Sequence, residues 1–277
     1  MTTAQKVIKY VAIGFAVFLI VNIISSILFG LFIVGNILGL TDSPNNILED
    51  MKVISSNVTH IEEMNIELAY TNLQIKTGNS FKVETDNSKI SFSENNGKIV
   101  IKEEKHNWLW RNNDIGDLII YIPENLVTLS DVNIEAGAGE ITINSLETTE
   151  LHLNLGAGKV YIENLIVDKE TNIDGGAGKL EIISGEINNL DLDMGVGEIV
   201  LQSNLTGKSD IDEGIGNLNI ELLGNKESYK IEVDKGLGNI DIDNKDIVGE
   251  KQAWGNGVNY IKIDGGIGNI SVDFKEN

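Results

Sequence analysis

The sequence contains no cysteine, only two prolines and a single arginine, Arg111. Without cysteine, the chain cannot form disulfides, thiolate metal centres, iron–sulfur clusters or a thiol nucleophile. With one arginine, bidentate clamping of phosphate or carboxylate groups is almost absent. The net charge of −21 repels nucleic acid, because nucleic-acid binding requires clustered lysine and arginine. We therefore expect neither a cofactor nor a nucleic-acid partner.

Glycine and apolar residues are, in contrast, abundant. The 277-residue chain has 29 glycines, and 42% of its residues are hydrophobic. This apolar content is enough for a packed core. Many glycines together with few prolines favour tight bends between strands over a flexible linker.

One long apolar segment lies near the N-terminus. Residues 11–40 carry no charge. This uncharged run is longer than the roughly 20 apolar residues that a membrane-spanning helix requires. Lys6 and Lys9 precede the segment, and the positive-inside rule places them in the cytoplasm. The sequence therefore predicts a cytoplasmic tail (1–10), a transmembrane α-helix (11–38), a linker (39–57) and an extracytoplasmic domain (58–277).

A cleaved signal peptide is the alternative for this segment. Signal peptides have an apolar region of roughly 7–15 residues and small residues at the cleavage site. This segment is about twice as long, and the sequence around Gly39 matches a cleavage site poorly. Retention is favoured, which predicts a single-pass protein of the cell membrane. Because Lys6 and Lys9 are the only charges before Asp42, the rest of the chain carries −23.

Seven similar segments follow between residues 134 and 272. The spacings between their first glycines are 19, 20, 19, 19, 22 and 30 residues. A period near 20 is typical of stacked repeats, and the longer spacings indicate loops inserted near the end. The segments are IEAGAGEITI (134–143), LNLGAGKVYI (153–162), IDGGAGKLEI (173–182), LDMGVGEIVL (192–201), IDEGIGNLNI (211–220), VDKGLGNIDI (233–242) and IDGGIGNISV (263–272).

Each segment predicts two short strands around a glycine corner. Apolar residues alternate with polar ones, and the phase of this alternation changes across Gly-x-Gly, so the chain bends there. A period of 20 leaves no room for a crossover helix. We therefore predict an all-β, parallel β-solenoid of ~20-residue coils. The predicted corner glycines are Gly137, Gly139, Gly156, Gly158, Gly176, Gly178, Gly195, Gly197, Gly214, Gly216, Gly236, Gly238, Gly266 and Gly268.

Stacking the coils in chain order makes specific predictions about columns of equivalent residues. The residue between the two glycines changes from alanine to Val196, Ile215, Leu237 and Ile267, which predicts an interior column and a core that widens toward the C-terminus. The residues after the second glycine form another column. Stacking in chain order predicts that this column has opposite-charge neighbours followed by an asparagine ladder of Asn217, Asn239 and Asn269.

Residues 58–133 resemble degenerate coils or an edge sheet of the same domain. Segment 66–75 matches the repeat without its glycines, and 118–126 is a strong strand pattern. Between strands lies a loop, 106–114, that carries Trp108, Trp110 and Arg111. The sequence is equally compatible with two roles for these rings and for Trp254. One is contact with a partner or the membrane surface, and the other is capping of an open end of the core. An uncapped end would instead favour self-association.

Together these features resemble a known family. A basic tail and one apolar span precede a strand with Tyr121, Ile122 and Pro123, followed by repeated Gly-x-Gly-(Glu/Lys/Asn)-apolar-x-apolar. This pattern is similar to the bacterial "putative adhesin" family, whose domain has also been called the toastrack domain. The resemblance implies an extracytoplasmic β-solenoid and a link to envelope-stress systems of the phage-shock type. It implies no catalytic motif.

The clearest chemical feature is an acidic column two residues before the first glycine. Stacked carboxylates suggest weak divalent-cation sites, since Ca²⁺ prefers carboxylate oxygens, although a solvated acidic face is the more economical interpretation. The candidate ligands are Asp174, Asp193, Asp212, Asp234 and Asp264.

Catalysis and nucleotide binding are poorly supported. Gly-x-Gly sites for nucleotides require a helix after the glycines, whereas strands follow here. The three histidines, His60, His106 and His152, are scattered. We therefore expect no enzyme, but a membrane-tethered scaffold or interaction module that binds an envelope protein or itself. A surface adhesin or glycan-binding module, and less so a carbohydrate-active β-helix enzyme, are the alternatives.

Overall fold

The computed structural model describes residues 51–56, 58, 60–104, 116–124, 129–247 and 251–275. These residues form strands and one 3₁₀ turn, Lys226–Ser228, with no α-helix among them, which confirms the all-β prediction. Among the described residues, no helix has the length and apolar character needed to cross a membrane. The predicted span, 11–38, lies outside the described residues, and the domain boundaries stay predictions.

The strands follow one another along the chain with short connections. They are β1 (Lys52–Ser56), β2 (Glu63–Leu68), β3 (Asn72–Gly78), β4 (Lys82–Thr85), β5 (Ile90–Asn95), β6 (Lys98–Glu103), β7 (Asp117–Pro123), β8 (Leu129–Ile182), β9 (Gly185–Asn188), β10 (Leu190–Thr206), β11 (Lys208–Leu223), β12 (Tyr229–Ile242), β13 (Asp246–Ile247), β14 (Lys251–Trp254) and β15 (Asn259–Lys275).

The repeats pair in parallel and in register. Strand β10 pairs with β8 on one side and with β11 on the other, so that Leu192 lies between Ile173 and Ile211. The glycines also align, and Gly197 lies between Gly178 and Gly216. This pairing follows from a period near 20, because equivalent residues of neighbouring coils meet at the spacing of adjacent strands.

The apolar columns next to the corners form the core. Ile134, Leu153, Ile173, Leu192, Ile211, Val233 and Ile263 are all buried. The positions two and four residues after the second glycine are buried as well, and so are four leucines that lie in the chain between successive segments, Leu146, Leu165, Leu190 and Leu205. Burial of these apolar columns provides most of the favourable free energy of folding.

The degenerate N-terminal coils continue the same stack. Strands β2 and β3 pair in parallel with β8, and the residues between them, Ala69–Thr71, take the place of a glycine corner. On their other side β2 pairs with β6 and β3 pairs with β7. Strands β5, β4 and β1 then add antiparallel pairs at this end. The prediction that 66–75 is a coil without glycines is confirmed.

The order of the last two coils differs from the prediction. Strand β15 lies between β11 and β12, because Ile263 pairs with both Ile211 and Val233. After β12 the chain reverses at Asp243 and Asn244, which have left-handed φ values of 57° and 58°. It returns antiparallel to β12 as β13 and β14, so the outer edge of β12 is occupied and the last repeat pairs with the inner one. Consecutive stacking of all seven repeats is therefore wrong.

This end of the stack also has an aromatic cluster. The Trp254 ring stacks on Phe274 with centroids 4.5 Å apart, and Phe274 lies 6.1 Å from the Tyr229 ring. Trp254 is partly buried against the core. Trp254 thus packs against the last coils rather than projecting toward a partner.

Candidate interaction surface

The residues between the paired glycines form an apolar ridge on the surface. We use the term apolar ridge for Val196, Ile215, Ile267 and Leu237, which are neighbours in register across β10, β11, β15 and β12. Ile267 is 48% exposed and Leu237 is 65% exposed. The prediction of an interior column and a widening core is therefore wrong. The residue projects outward at the corner, and the glycines beside it have no side chains that would cover it.

Close stacking explains why these corners contain glycine. A Cβ atom at Gly178 would overlap the carbonyl oxygen of Gly158 in the neighbouring coil, and its φ of +144° also disfavours any other residue. At Gly156, where no such φ applies, a Cβ atom would still overlap the carbonyl oxygen of Gly137. The bend alone does not require every glycine, whereas the contact between coils does.

An acidic ladder runs parallel to the ridge, two residues before the first glycine. We define the acidic ladder as Asp193, Asp212, Asp264 and Asp234, which pair in this spatial order, with Asp174 next to Asp193. Burial and the charges of Asp264 and Asp210 raise the pKa of Asp212. Repulsion between the stacked carboxylates thus adds to the effect of burial at this point of the surface.

Only two of the five predicted cation ligands come together as a cluster. Carboxylate oxygens of Asp212 and Asp264 meet one from Asp210, a residue that the sequence analysis did not identify. The ammonium group of Lys262 ion-pairs with Asp264 and lies 3.5 Å from an Asp210 oxygen. This lysine already supplies a cation to the cluster, which favours the interpretation of a solvated acidic face.

A second group of ligand-type side chains was also missed. Oxygens of Asp131 and Glu150 and a ring nitrogen of His152 lie within 4.8 Å of one another. The Lys169 ammonium group is 3.9 Å from Glu150. All three residues of the group are only partly buried.

On its other side the ridge borders the column that follows the second glycine. Lys179 and Glu198 pair in register with 3.7 Å between their charged groups, as predicted. The asparagine ladder exists in a different order, with Asn269 between Asn217 and Asn239. The Asn269 amide donates to the Asn217 side-chain oxygen at 3.1 Å. Beside its C-terminal half, the ridge thus has acids on one side and neutral amides on the other.

The predicted tryptophan loop, 106–114, falls between β6 and β7 in the sequence. Residues 105–115, with Trp108, Trp110 and Arg111, lie outside the described residues. Its flanks are described: Glu104 follows β6, and Gly116 precedes β7 and accepts a 2.9 Å hydrogen bond from the Asn72 backbone N–H. Strands β6 and β7 pair with β2 and β3, so the described residues Glu103 and Gly116 lie beside the Ala69–Thr71 corner.

A cleft of about 610 Å³ lies beside this position. Its lining includes Glu67, Tyr70, Lys89, Glu103, Glu104 and Glu135. Tyr70 is 52% exposed. Two of the four carboxylates already have structural partners. Glu67 accepts from Lys102 at 2.6 Å, and Glu103 accepts the backbone N–H groups of residues 69–71, which lowers the pKa of Glu103.

The chain was compared with curated proteins and with solved structures. None of the curated proteins matches the sequence significantly. Similar solved structures are a "putative cell adhesion protein" of Clostridium sporogenes (14% identity, TM-score 0.29, 82% of this chain and 98% of that chain) and a "putative adhesin" of Bacteroides fragilis (13%, 0.42, 82% and 98%). A third is a "putative lipid binding protein" of Parabacteroides distasonis (14%, 0.37, 83% and 97%).

The sequence itself matches a family profile over most of the described domain. The match covers residues 61–254, from the start of β2 through β14, and so includes most of the glycine corners. It extends over well more than half of the chain. The chain belongs to the Toastrack DUF4097 family.

Proposed function

We propose that this protein is a non-enzymatic interaction module of the bacterial cell envelope. In this proposal an N-terminal helix tethers it to the cell membrane with its N-terminus in the cytoplasm. The β domain then lies outside the cytoplasm and binds an envelope partner, in a role related to envelope stress. The uncharged residues 11–38 and the preceding Lys6 and Lys9 support the tether and its orientation.

The exposed apolar ridge is the observation that carries the proposal. Leu237 and Ile267 are large apolar side chains, exposed on adjacent strands and accompanied by Ile215 and Val196. Contiguous exposed apolar residues with a polar surround are typical of protein–protein contact sites. The acidic ladder on one side adds charge, which selects partners with complementary, basic groups.

A pull-down from bacterial membranes tests this proposal. The bait is the full-length tagged protein, compared with a double variant, Leu237→Ser with Ile267→Ser, and with a variant that lacks 106–114. Val258→Ser is the matched control, because Val258 is 89% exposed but is not part of the ridge. We expect the wild type and the control to recover the same envelope protein and the double variant to lose it.

Three other outcomes would change the interpretation. Equal recovery by all four baits would contradict the ridge as the contact surface. Recovery of the bait protein alone would indicate self-association instead of binding to an envelope partner. Loss of the partner only after deletion of 106–114 would move the contact to the tryptophan loop.

Glycan binding is the second candidate, and the cleft favours it. Exposed aromatic rings stack on sugar rings, and Tyr70 is such a ring beside carboxylates that can accept hydrogen bonds from hydroxyl groups. A carbohydrate array with the wild type and Tyr70→Ala tests this function. Tyr161→Ala serves as the control, since Tyr161 is 37% exposed and does not line the cleft. Signals lost only with Tyr70→Ala would establish glycan binding.

A further inference from the structure

One carboxylate is buried directly beneath the apolar ridge. Glu213 of β11 is 5% exposed, and it is the one charged residue that is buried in the described part of the chain. In register it lies between Met194 of β10 and Gly265 of β15. The equivalent residues of two earlier coils, Ala136 and Leu155, are apolar, so Glu213 occupies a position that packing would assign to an apolar side chain.

A small void adjoins this carboxylate. It is lined by Glu213, Gly265, Gly266 and Ile270 together with the ridge residues Ile267 and Leu237. Gly265 lies in register with Glu213 and contributes no side chain to this lining. It holds a single group of about the size of a water molecule. The only lining side chains that reach the surface are those of the ridge and Asn269.

The Glu213 carboxyl group has an unused acceptor. Its Oε1 atom is buried and has no hydrogen-bond partner within the described residues. It lies so close to Gly216 that any side chain there would collide with it. Burial raises the pKa of Glu213 to about 7. A buried carboxylate without a partner is costly, so an incoming cation would gain a strong interaction.

The charges around Glu213 come from four strands. On its own strand Asp210 and Asp212 face outward, and on β15 Asp264 and Lys262 do so as an ion pair. Strand β10 presents Met194 in register with Glu213, and its Asp193 faces outward beside Asp212. Strand β12 places Lys235 in register with Gly265, on the far side of that glycine from Glu213. The outward acids attract cations to the opening beside the ridge.

From this geometry, and resting on the proposed function, we propose that the void is the anchor point for the partner of the apolar ridge. The ammonium group of a partner lysine enters beside Gly265 and binds the Glu213 carboxylate, while apolar residues of the same segment cover Leu237 and Ile267. The partner is thus a segment with lysine and apolar residues. An ammonium group matches the size of the void, whereas a planar guanidinium group is larger.

This anchor makes binding depend on pH. Only the ionised carboxylate forms the ion pair, so affinity follows the ionised fraction of Glu213 and rises with pH. With a midpoint near 7, affinity increases about tenfold between about pH 6 and pH 8. The variant Glu213→Gln separates this change from any effect of the acidic ladder, because it removes only the ionisation of Glu213.

The experiment uses the full-length protein and a synthetic peptide of alternating lysine and leucine as the probe. Calorimetry at about pH 6 and pH 8 compares the wild type with Glu213→Gln, which keeps the shape of the side chain but cannot ionise. Gly265→Ala keeps the carboxyl group, but its Cβ atom would lie 2.6 Å from Ile270 Cδ1, so Ile270 must shift within the lining of the void. A peptide with arginine in place of lysine tests the size of the cation. We expect the tenfold rise only for the wild type with the lysine peptide.

Several results would overturn the inference. The inference fails if the lysine peptide does not bind the wild type near pH 8. It also fails if Glu213→Gln shows the same pH dependence as the wild type, or if the arginine peptide binds as tightly as the lysine peptide. A Glu213 titration midpoint near 4.5 that rises in Lys235→Met would show that Lys235 already occupies the void. A further result is peptide binding that is lost in the Leu237/Ile267 double variant but unchanged in Glu213→Gln. That result would contradict Glu213 as the anchor and retain the ridge as the contact surface.

Discussion

Two corners of this protein connect equivalent strands but are stabilised differently. At Ala69–Thr71, the Glu103 carboxylate accepts three backbone N–H groups, with distances of 2.7, 3.0 and 3.2 Å. At Gly176–Gly178, no such side chain is needed, because the backbone stacks directly on the preceding corner. A Cβ atom at Gly137, which faces Ala69, would lie 2.8 Å from the Ala69 oxygen, whereas one at Gly178 would overlap its neighbour. Glycine is therefore most necessary where one glycine corner stacks on another.

The largest expected effect is at the centre of the regular stack. Gly178→Ala places a methyl group on the Gly158 carbonyl oxygen and imposes a strained φ, so we expect a loss of about 4 kcal/mol or more in the free energy of unfolding. Gly175→Ala is the control, since its Cβ atom would lie 3.4 Å from Met194 Cε, an ordinary contact. We expect the control to cost less than about 1 kcal/mol in urea unfolding. Similar losses for both variants would contradict the stacking explanation.

The regular region also contains a destabilising residue, Glu213, whose carboxyl group is buried. Its carboxyl group keeps its proton up to about pH 7 in the folded state, whereas the unfolded chain releases it near 4.5. Wild-type stability should therefore fall as pH rises from about 4.5 to 7 and then level off. Glu213→Met, which copies the neighbouring Met194, should be more stable by about 3 kcal/mol near pH 8 and by much less near pH 4. Thermal unfolding across this range tests the prediction, and a pH-independent wild type would contradict it.

The N-terminal corner should have the opposite pH dependence. The three backbone N–H groups lower the pKa of Glu103, although burial acts against them. Its stabilising effect is complete above about pH 4.5 and is lost as pH falls through the lowered value. Glu103→Gln should cost about 2 kcal/mol at neutral pH, because hydrogen bonds to a charged acceptor are replaced by weaker ones. Glu104→Gln, at an exposed neighbouring position, is the control and should be nearly neutral.

The smallest effect is expected on the outer face of the regular coils. Lys262 pairs with Asp210 and Asp264, but all three side chains are about one-third exposed. Exposed pairs of this kind contribute about 0.2–1 kcal/mol and are screened by salt. Lys262→Met should therefore destabilise the protein by less than about 1 kcal/mol at low salt and by nothing measurable at high salt. A larger, salt-independent loss would indicate that Lys262 stabilises the acidic cluster more strongly than its exposure implies.

The sequence by itself determined the local structure of this protein. Alternating apolar residues specify strands, paired glycines specify corners, and a spacing of 19 or 20 residues brings equivalent residues into register in β8, β10 and β11. These features depend on local alternation and on a regular spacing along the chain, so they are visible without a structure. The acidic column and the Lys179–Glu198 pair were predictable for the same reason.

Only the tertiary structure decided the order of the last coils and the character of the surface. A Gly-x-Gly strand can pair along either edge, and the antiparallel return of β13 and β14 along β12 determines which edge is open for β15. At a corner the alternation changes phase, so the pattern could not assign Leu237 and Ile267 to the outside. The environment of Glu213 depends on Met194 and on Gly265, 52 residues later in the chain, and only the fold brings them together.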